Sequence, residues 1–192
     1  MGEPVRAAGF LLCGGRSSRM GTDKALLILD GEPLVQRGLR LLGEVCVEVA
    51  IAGGGEELRR FGRVVPDEAA GCGPLGGIVS AMRTSDFDWN LFLAVDTPFV
   101  PVSVLNRLLG EAAASDAVAV MARVAGQVQP LCAMYSGKAL PQLTGELAAG
   151  NWKITEAVAA AGGYEIVDFE DERWFRNLNT PAEFAEAERG IG

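Results

Sequence analysis

The sequence predicts an α/β fold: a single-domain, Rossmann-like open sheet, mostly parallel, with helices on both faces. Three observations predict it. Short apolar runs alternate with stretches of helical periodicity, the pattern that βαβ units leave in a sequence. A glycine-rich segment follows directly on the first apolar run, where an open sheet turns from strand to loop. The chain has 192 residues, 49% of them hydrophobic, which suits one core covered by helices on both faces. No repeat, low-complexity tract or Pro/Ser-rich linker divides residues 1–192.

The elements follow in order. Residues 7–13 form an apolar run and read as a strand, 33–42 have helical spacing, and 46–52 read as the next strand. A short strand is expected at 62–65, and a helix over 75–82 after a second glycine-rich loop. Residues 89–95 suit a central strand buried on both faces, with Asp96 just past its carboxyl end. A helix over 102–114 is followed by strands at 117–122 and 130–135, helices over 138–149 and 154–161, and a closing strand at 164–168. The final helix carries its own start signal: Thr180 as N-cap, Pro181 at the first helical position and Glu183 completing a capping box, with an expected end near Arg189.

Composition narrows the function classes. A net charge of -8 argues against a nucleic-acid or anionic-membrane surface, which calls for a basic stripe, and favours a small ligand. A polyanion still fits if the pocket itself is basic, because salt screens distant charges over about 8 Å; Arg16, Arg19 and Lys24 are such a cluster. The chain has no histidine, which removes a Ser-His-Asp triad, a Cys-His nucleophile and a His-ligated zinc site together. Cys13, Cys46, Cys72 and Cys132 form no Cys-x-x-Cys pair and read as reduced, small core residues. Residues 7–13 run into Gly14-Gly15 and read as a strand and not a signal peptide, and Leu12 is too bulky for a lipoprotein cleavage site. With no long apolar run to span a bilayer, a cytoplasmic protein is expected.

Four stretches bear chemistry. The first, Gly14-Gly15-Arg16-Ser17-Ser18-Arg19-Met20-Gly21-Thr22-Asp23-Lys24, follows the first strand, where glycines bring backbone N–H groups against phosphate oxygens and Arg19 and Lys24 add positive charge. It does not fit a Walker A loop, because Ala25 follows Lys24 and no glycine immediately precedes it. In the second, Gly71, Gly73 and Gly76 match a dinucleotide fingerprint in form only, since Pro66-Asp67-Glu68 separates them from the strand. Gly76 and Gly77 fit two readings equally: a planar ligand lying on backbone, or a close-packed helix start.

The third stretch, Leu91-Phe92-Leu93-Ala94-Val95-Asp96-Thr97-Pro98, ends a strand on a carboxylate. Asp96 fits a Mg²⁺ ligand, because that ion takes one or two carboxylates plus substrate phosphates, and fits a turn residue equally well. In the fourth, Arg176-Asn177-Leu178-Asn179-Thr180-Pro181, turn and cap duty is the stronger reading for the two amides.

Taken together with Gly73-Pro74-Leu75-Gly76-Gly77 and Asp96-Thr97-Pro98-Phe99, in this order, these stretches resemble the molybdenum cofactor guanylyltransferase family over nearly the whole chain, from Leu11 to about Glu188. The resemblance implies transfer of GMP from GTP to the terminal phosphate of molybdopterin or its molybdenum form, releasing pyrophosphate. It implies that Leu12, Cys13, Gly14 and Gly15 line the nucleotide site, that Arg19 and Lys24 handle the triphosphate, and that Asp67 helps hold the nucleoside. It implies that Asp96 ligates Mg²⁺, and that Gly76, Gly77, Asn177 and Asn179 lie near the pterin or the rim. Transient contacts with cofactor-delivery proteins or apo-molybdoenzymes would follow.

Two positions depart from the family pattern: Ile51-Ala52-Gly53 stands where an asparagine often ends the second strand, and Cys13 where a small alanine is usual. A cytidylyltransferase acting on the same pterin is the nearest alternative, with Gly15 and Asp23-Lys24 favouring the guanylyl branch. A non-catalytic nucleotide-binding or carrier domain of the same fold is a further alternative, against which Arg19, Lys24 and Asp96 together argue.

Overall fold

The computed structural model describes residues 5–14, 23–69 and 71–190. The expectations for Gly15, Arg16 and Arg19 therefore lie outside the described residues. Nine strands are described: β1 (Ala7–Leu12), β2 (Ile28–Leu29), β3 (Glu32–Pro33), β4 (Glu48–Ala52), β5 (Val64–Val65), β6 (Trp89–Ala94), β7 (Ala119–Val124), β8 (Gln127–Ser136) and β9 (Tyr164–Phe169). The α-helices are α1 (Leu34–Gly43), α2 (Pro74–Met82), α3 (Val102–Ala114), α4 (Leu140–Ala148), α5 (Ile154–Ala161) and α6 (Pro181–Gly190).

Seven strands make one mixed, mostly parallel sheet in the order β5-β4-β1-β6-β8-β7-β9. β1 pairs in parallel with β4 and β6. β8 is the one strand that runs against its neighbours β6 and β7, while β7 and β9 are parallel. The carboxyl ends of β1, β4, β6, β7 and β9 thus share one edge of the sheet, the edge at which open α/β sheets bind ligands.

Strand periodicity divides the core into two layers. Ala7 and Leu11 of β1 face a cluster with Val35 and Leu42 of α1 and Val104, Leu105 and Leu108 of α3. Ala8, Phe10 and Leu12 face the other, with Leu75, Ile78 and Val79 of α2, Leu143 of α4 and Val158 of α5. On this second face Phe10 stacks on its register partner Phe92 at 5.2 Å, and Phe92 meets Tyr135 edge-on at 5.5 Å. The three rings tie β1, β6 and β8 together, adding about 0.5–1.5 kcal/mol per pair beyond area burial.

Several expected boundaries move. Pro33 belongs to β3 and caps α1, which starts at Leu34. It lies in a hairpin of two-residue strands, β2 and β3, whose turn holds Asp30 at φ 54° and Gly31 at φ 78°. Positive φ at both central residues is the type I′ geometry that Asp-Gly supplies. β7 ends two residues later than expected, and β8 extends through Pro130 to Gln127. The helix expected over 138–149 opens with a 3₁₀ turn at Gly137–Ala139 before α4. Cys13 and Cys132 are buried, as expected of small core residues, but Cys46 and Cys72 are only partly so. Among the described residues no helix is long and apolar enough to cross a membrane.

Candidate active site

β1 sits at the centre of the parallel half, and its last residues carry the ladder past the strand's end. The Cys13 N–H donates to the Ala52 carbonyl at 2.9 Å, and the Val95 N–H donates to the Leu12 carbonyl at 3.1 Å. Leu12, Cys13 and Gly14 therefore lie between the ends of β4 and β6. Gly53 follows β4 at φ 78°, and a Cβ there would stand 3.1 Å from both Cα and N of Gly14. The two backbones approach closely because neither residue carries a side chain.

The turn after β6 decides what Asp96 is free to do. The Thr97 hydroxyl donates to the Ala94 carbonyl at 2.9 Å, and the Thr97 N–H donates to the same oxygen at 3.3 Å. The turn is thus closed by Thr97, and the Asp96 carboxylate is left out of it. Its partner is Lys24, whose Nζ donates to Oδ2 at 3.3 Å, with the two side chains 18% and 25% exposed. Lys24 opens a short 3₁₀ helix, Lys24–Leu26, capped by Asp23, whose Oδ1 accepts from the Ala25 N–H at 3.0 Å.

Lys24 has a second partner 155 residues along the chain: its Nζ donates to Oδ1 of Asn179 at 2.5 Å. The segment carrying Asn179 is fixed from both sides. The Leu178 N–H donates to the Asp96 carbonyl at 2.9 Å. The Leu178 side chain is buried with Leu29, Leu34 and Phe184. The expected capping box then starts α6: Glu183 accepts from the Thr180 N–H at 2.8 Å, and Thr180 Oγ1 accepts from the Glu183 N–H at 3.2 Å. Turn duty and site duty are therefore divided, with Thr180 and Glu183 capping while the Asn179 side chain faces Lys24. Asn177 is exposed and makes no hydrogen bond with this group among the described residues.

On the other flank, Asp67 Oδ1 accepts from the Ala69 N–H at 2.9 Å, and buried Ser80 of α2 accepts from the Glu68 N–H at 3.1 Å, so the Asp67 loop is seated on α2. A Cβ on Gly76 would lie 2.9 Å from Asp67 Oδ1, and one on Gly77 would touch Leu12 at 3.6 Å. Both glycines are buried, and these contacts are the ones a close-packed helix start requires. Asp67, Gly76, Gly77, Leu12 and Gly14 thus form one continuous rim along the carboxyl edge, with Asp96, Lys24 and Asn179 at its far end.

Cys13 and Cys132, the two buried cysteines, are not nucleophiles here. Burial pushes the Cys13 thiol far above its ordinary range, with the Asp23 carboxylate adding to the effect, and burial pushes Cys132 up to about 12. Both stay protonated, and a thiol reacts through its thiolate. What the arrangement offers instead is a fixed cation, a carboxylate spared from local hydrogen bonding and a strip of unobstructed backbone. That set suits a phosphorylated ligand.

The model of the MobA-like NTP transferase domain matches residues 9–161. The chain belongs to this family. A molybdenum cofactor guanylyltransferase from Cereibacter sphaeroides is 36% identical over 191 residues, covering 96% of each chain. A probable molybdenum cofactor guanylyltransferase from Pelotomaculum thermopropionicum is 36% identical over 193 residues, covering 95% of this chain and 92% of its own. In fold, the chain is similar to the crystal structure of molybdopterin-guanine dinucleotide biosynthesis protein A from Archaeoglobus fulgidus, with a TM-score of 0.78, 24% identity and coverage of 96% and 98%. Nucleotide transfer to a small-molecule acceptor is the activity of the MobA-like family, and this chain is a nucleotidyltransferase of that kind.

Sequence reasoning missed Gly53 and Leu178. The run Gly53-Gly54-Gly55 directly after β4 was the available signal for the first, and an apolar residue between two asparagines for the second.

Proposed function

We propose that the chain transfers GMP from GTP to the phosphate of molybdenum-bearing molybdopterin, releasing pyrophosphate and forming the guanine dinucleotide of the cofactor. The observation that carries this reading is Lys24 held between Asp96 and Asn179 at the carboxyl end of β6. The choice of GTP and of the pterin is supported by the guanylyltransferases it is similar to.

The Asp96 carboxylate suits Mg²⁺, which is commonly held by one or two carboxylates together with substrate phosphates. Among the described residues no group of three or more His, Cys, Asp or Glu could hold a metal, so an all-protein cage is not on offer there and a substrate-completed site is the matching kind. When bound, the ion would neutralise charge on the phosphates.

The chain's own residues then divide the work. Leu12, Cys13, Gly14 and Gly15 bind the nucleotide, and Asp67 holds the nucleoside. Lys24 and Arg19 supply positive charge to the triphosphate. Asn179 orients the Lys24 ammonium, while Gly76, Gly77 and Asn177 contribute to the pterin side or rim. The acceptor phosphate oxygen attacks the α-phosphorus in line, and the bond to the pyrophosphate oxygen breaks. A phosphate monoester has a second pKa near 6, so it arrives deprotonated and needs no base from the protein.

The test is pyrophosphate release from GTP, CTP, ATP and UTP with Mg²⁺, with and without molybdenum-bearing molybdopterin. Release from GTP alone, and only with acceptor, is expected. Use of CTP in its place would overturn the base assignment, and no release from any triphosphate would overturn the reaction.

A further inference from the structure

β8 breaks regular pairing at one place. Met121 and Ala122 are neighbours on β7, yet they pair with Ala133 and Gln129, so Pro130, Leu131 and Cys132 bulge out of that ladder. On its other side β8 keeps register with β6 as far as Leu93 opposite Cys132. Because β8 runs antiparallel to β6, its residues before Cys132 continue past the carboxyl end of β6, the end from which the Asp96 turn leaves. An interior strand tolerates proline only at such a bulge, where the missing N–H costs no ladder bond.

The bulge is held in shape. The ring of Tyr135 is fully buried, and its hydroxyl donates to the Pro130 carbonyl at 2.6 Å. Val128 and Leu131 both pack on the α2 and α4 side of the sheet although they are three residues apart, which an unbroken pleat would put on opposite faces. Between them Gln129 is half-buried, and its Nε2 makes only a 3.4 Å contact with the Gln127 carbonyl. The amide is therefore available to a ligand. Bulges recur beside active sites because they re-aim a side chain.

We infer that this bulge is part of the site: it sets Gln129 at the carboxyl edge past the end of β6, the edge that carries Asp96, so that the side-chain amide donates to the acceptor's phosphate, with Tyr135 as the positioning residue. The inference rests on the proposed transfer to a phosphorylated acceptor. A neutral donor suits that place, because it orients the attacking phosphate without adding another cation that would draw electron density from the nucleophilic oxygen.

The test is steady-state kinetics of the full chain, varying GTP and molybdenum-bearing molybdopterin independently. Gln129→Leu is expected to raise the KM for the acceptor about tenfold, the effect of losing one hydrogen bond to a charged group, and to leave the KM for GTP within about twofold. Gln129→Glu should raise the acceptor KM further through like-charge repulsion. Tyr135→Phe should give a smaller rise of the same selectivity, with kcat little changed, which a general loss of packing would not do. An unchanged acceptor KM in Gln129→Leu, or equal rises for both substrates, would overturn the inference while an active wild type left the transfer reaction standing. A wild type inactive with every triphosphate would overturn both.

Discussion

Along one edge of the sheet, β1 and β4 lead out into glycines, whereas β7 and β9 finish in interlocked side chains. Gly14 and Gly53 leave bare backbone, closely opposed. At the ends of β7 and β9, Arg123 instead donates to both oxygens of Asp168 at 2.7 Å, and Arg107 donates to the Asp168 carbonyl. The Lys24–Asp96 pair differs in kind from Arg123–Asp168: a single 3.3 Å contact, more buried, against a bidentate pair with side chains 40% and 64% exposed. The shorter bridge is thus a surface clasp in which both carboxylate oxygens are already engaged. In the proposed reaction, the longer one is the pair that offers a carboxylate and an ammonium to an incoming phosphate. Good ion-pair geometry marks the structural half, and incomplete geometry marks the chemical half.

The comparison can be broken most directly at Asp96. Asp96→Asn should lower kcat roughly 10²–10³-fold, the range for removing one group that stabilises transition-state charge, with the melting temperature within a few degrees of wild type. Near-normal turnover would sink the assignment. Next in size, Gly53→Val puts a β-branched residue at φ 78° against the Gly14 backbone. An increase of about tenfold in the KM for GTP and a loss of about 2 kcal/mol in stability are expected. Unaltered GTP binding would mean that this backbone edge does not face the nucleotide.

Charge pairs away from the site sharpen the contrast through pH. The Glu32 carboxyl is held below its ordinary value of 4.5 by the hydrogen bond from Arg40, against burial, with the charges of Arg40 and Arg37 adding. A depressed folded pKa stabilises the protein above the unfolded value and loses that contribution as pH falls through the folded one. Thermal melts of Glu32→Gln should therefore lie slightly below wild type at pH 7, with the gap starting to close as pH falls past 4.5 and gone only below the depressed folded value. A gap that widened on acidification would reverse the sign and refute the pairing. The smallest effect belongs to Asp168→Asn: unchanged kinetics for both substrates and a melting shift of no more than about two degrees. A kinetic defect there would dissolve the division into two halves.

What the sequence made legible follows from range. β1 and β6 were readable because a strand buried on both faces leaves an unbroken apolar run, and Asp96 because it follows such a run directly. The β2–β3 hairpin was not, since two-residue strands carry no alternation, although Asp30-Gly31 was the residue pair its turn demands. β8 begins three residues before the expected start at Pro130, because an interior strand accepts a proline only at a bulge, and the bulge that Tyr135 holds leaves no local signal. Within the site, Lys24 and Asp96 could each be singled out from local context. Their meeting with Asn179 could not, because a contact across 155 residues leaves no periodicity to read. The amides of the fourth stretch looked like turn residues for the same reason: Thr180 and Glu183 do cap the helix, and nothing local tells Asn179 apart from them.

The strap formed by Leu178 and Asn179 bears on how the protein comes to life on the ribosome. Every strand of the sheet as far as β8 is synthesised by Ser136, yet Lys24 and Asp96 receive their third partner only once Asn179 has emerged and Leu178 has docked beneath α6. Because domains can begin folding during synthesis, a nascent chain could build the sheet while its site remained open at one end. Assembly of the Lys24–Asp96–Asn179 group thus waits on a segment made after every strand of the sheet, and a product terminated before Leu178 would carry those strands without this group's third member.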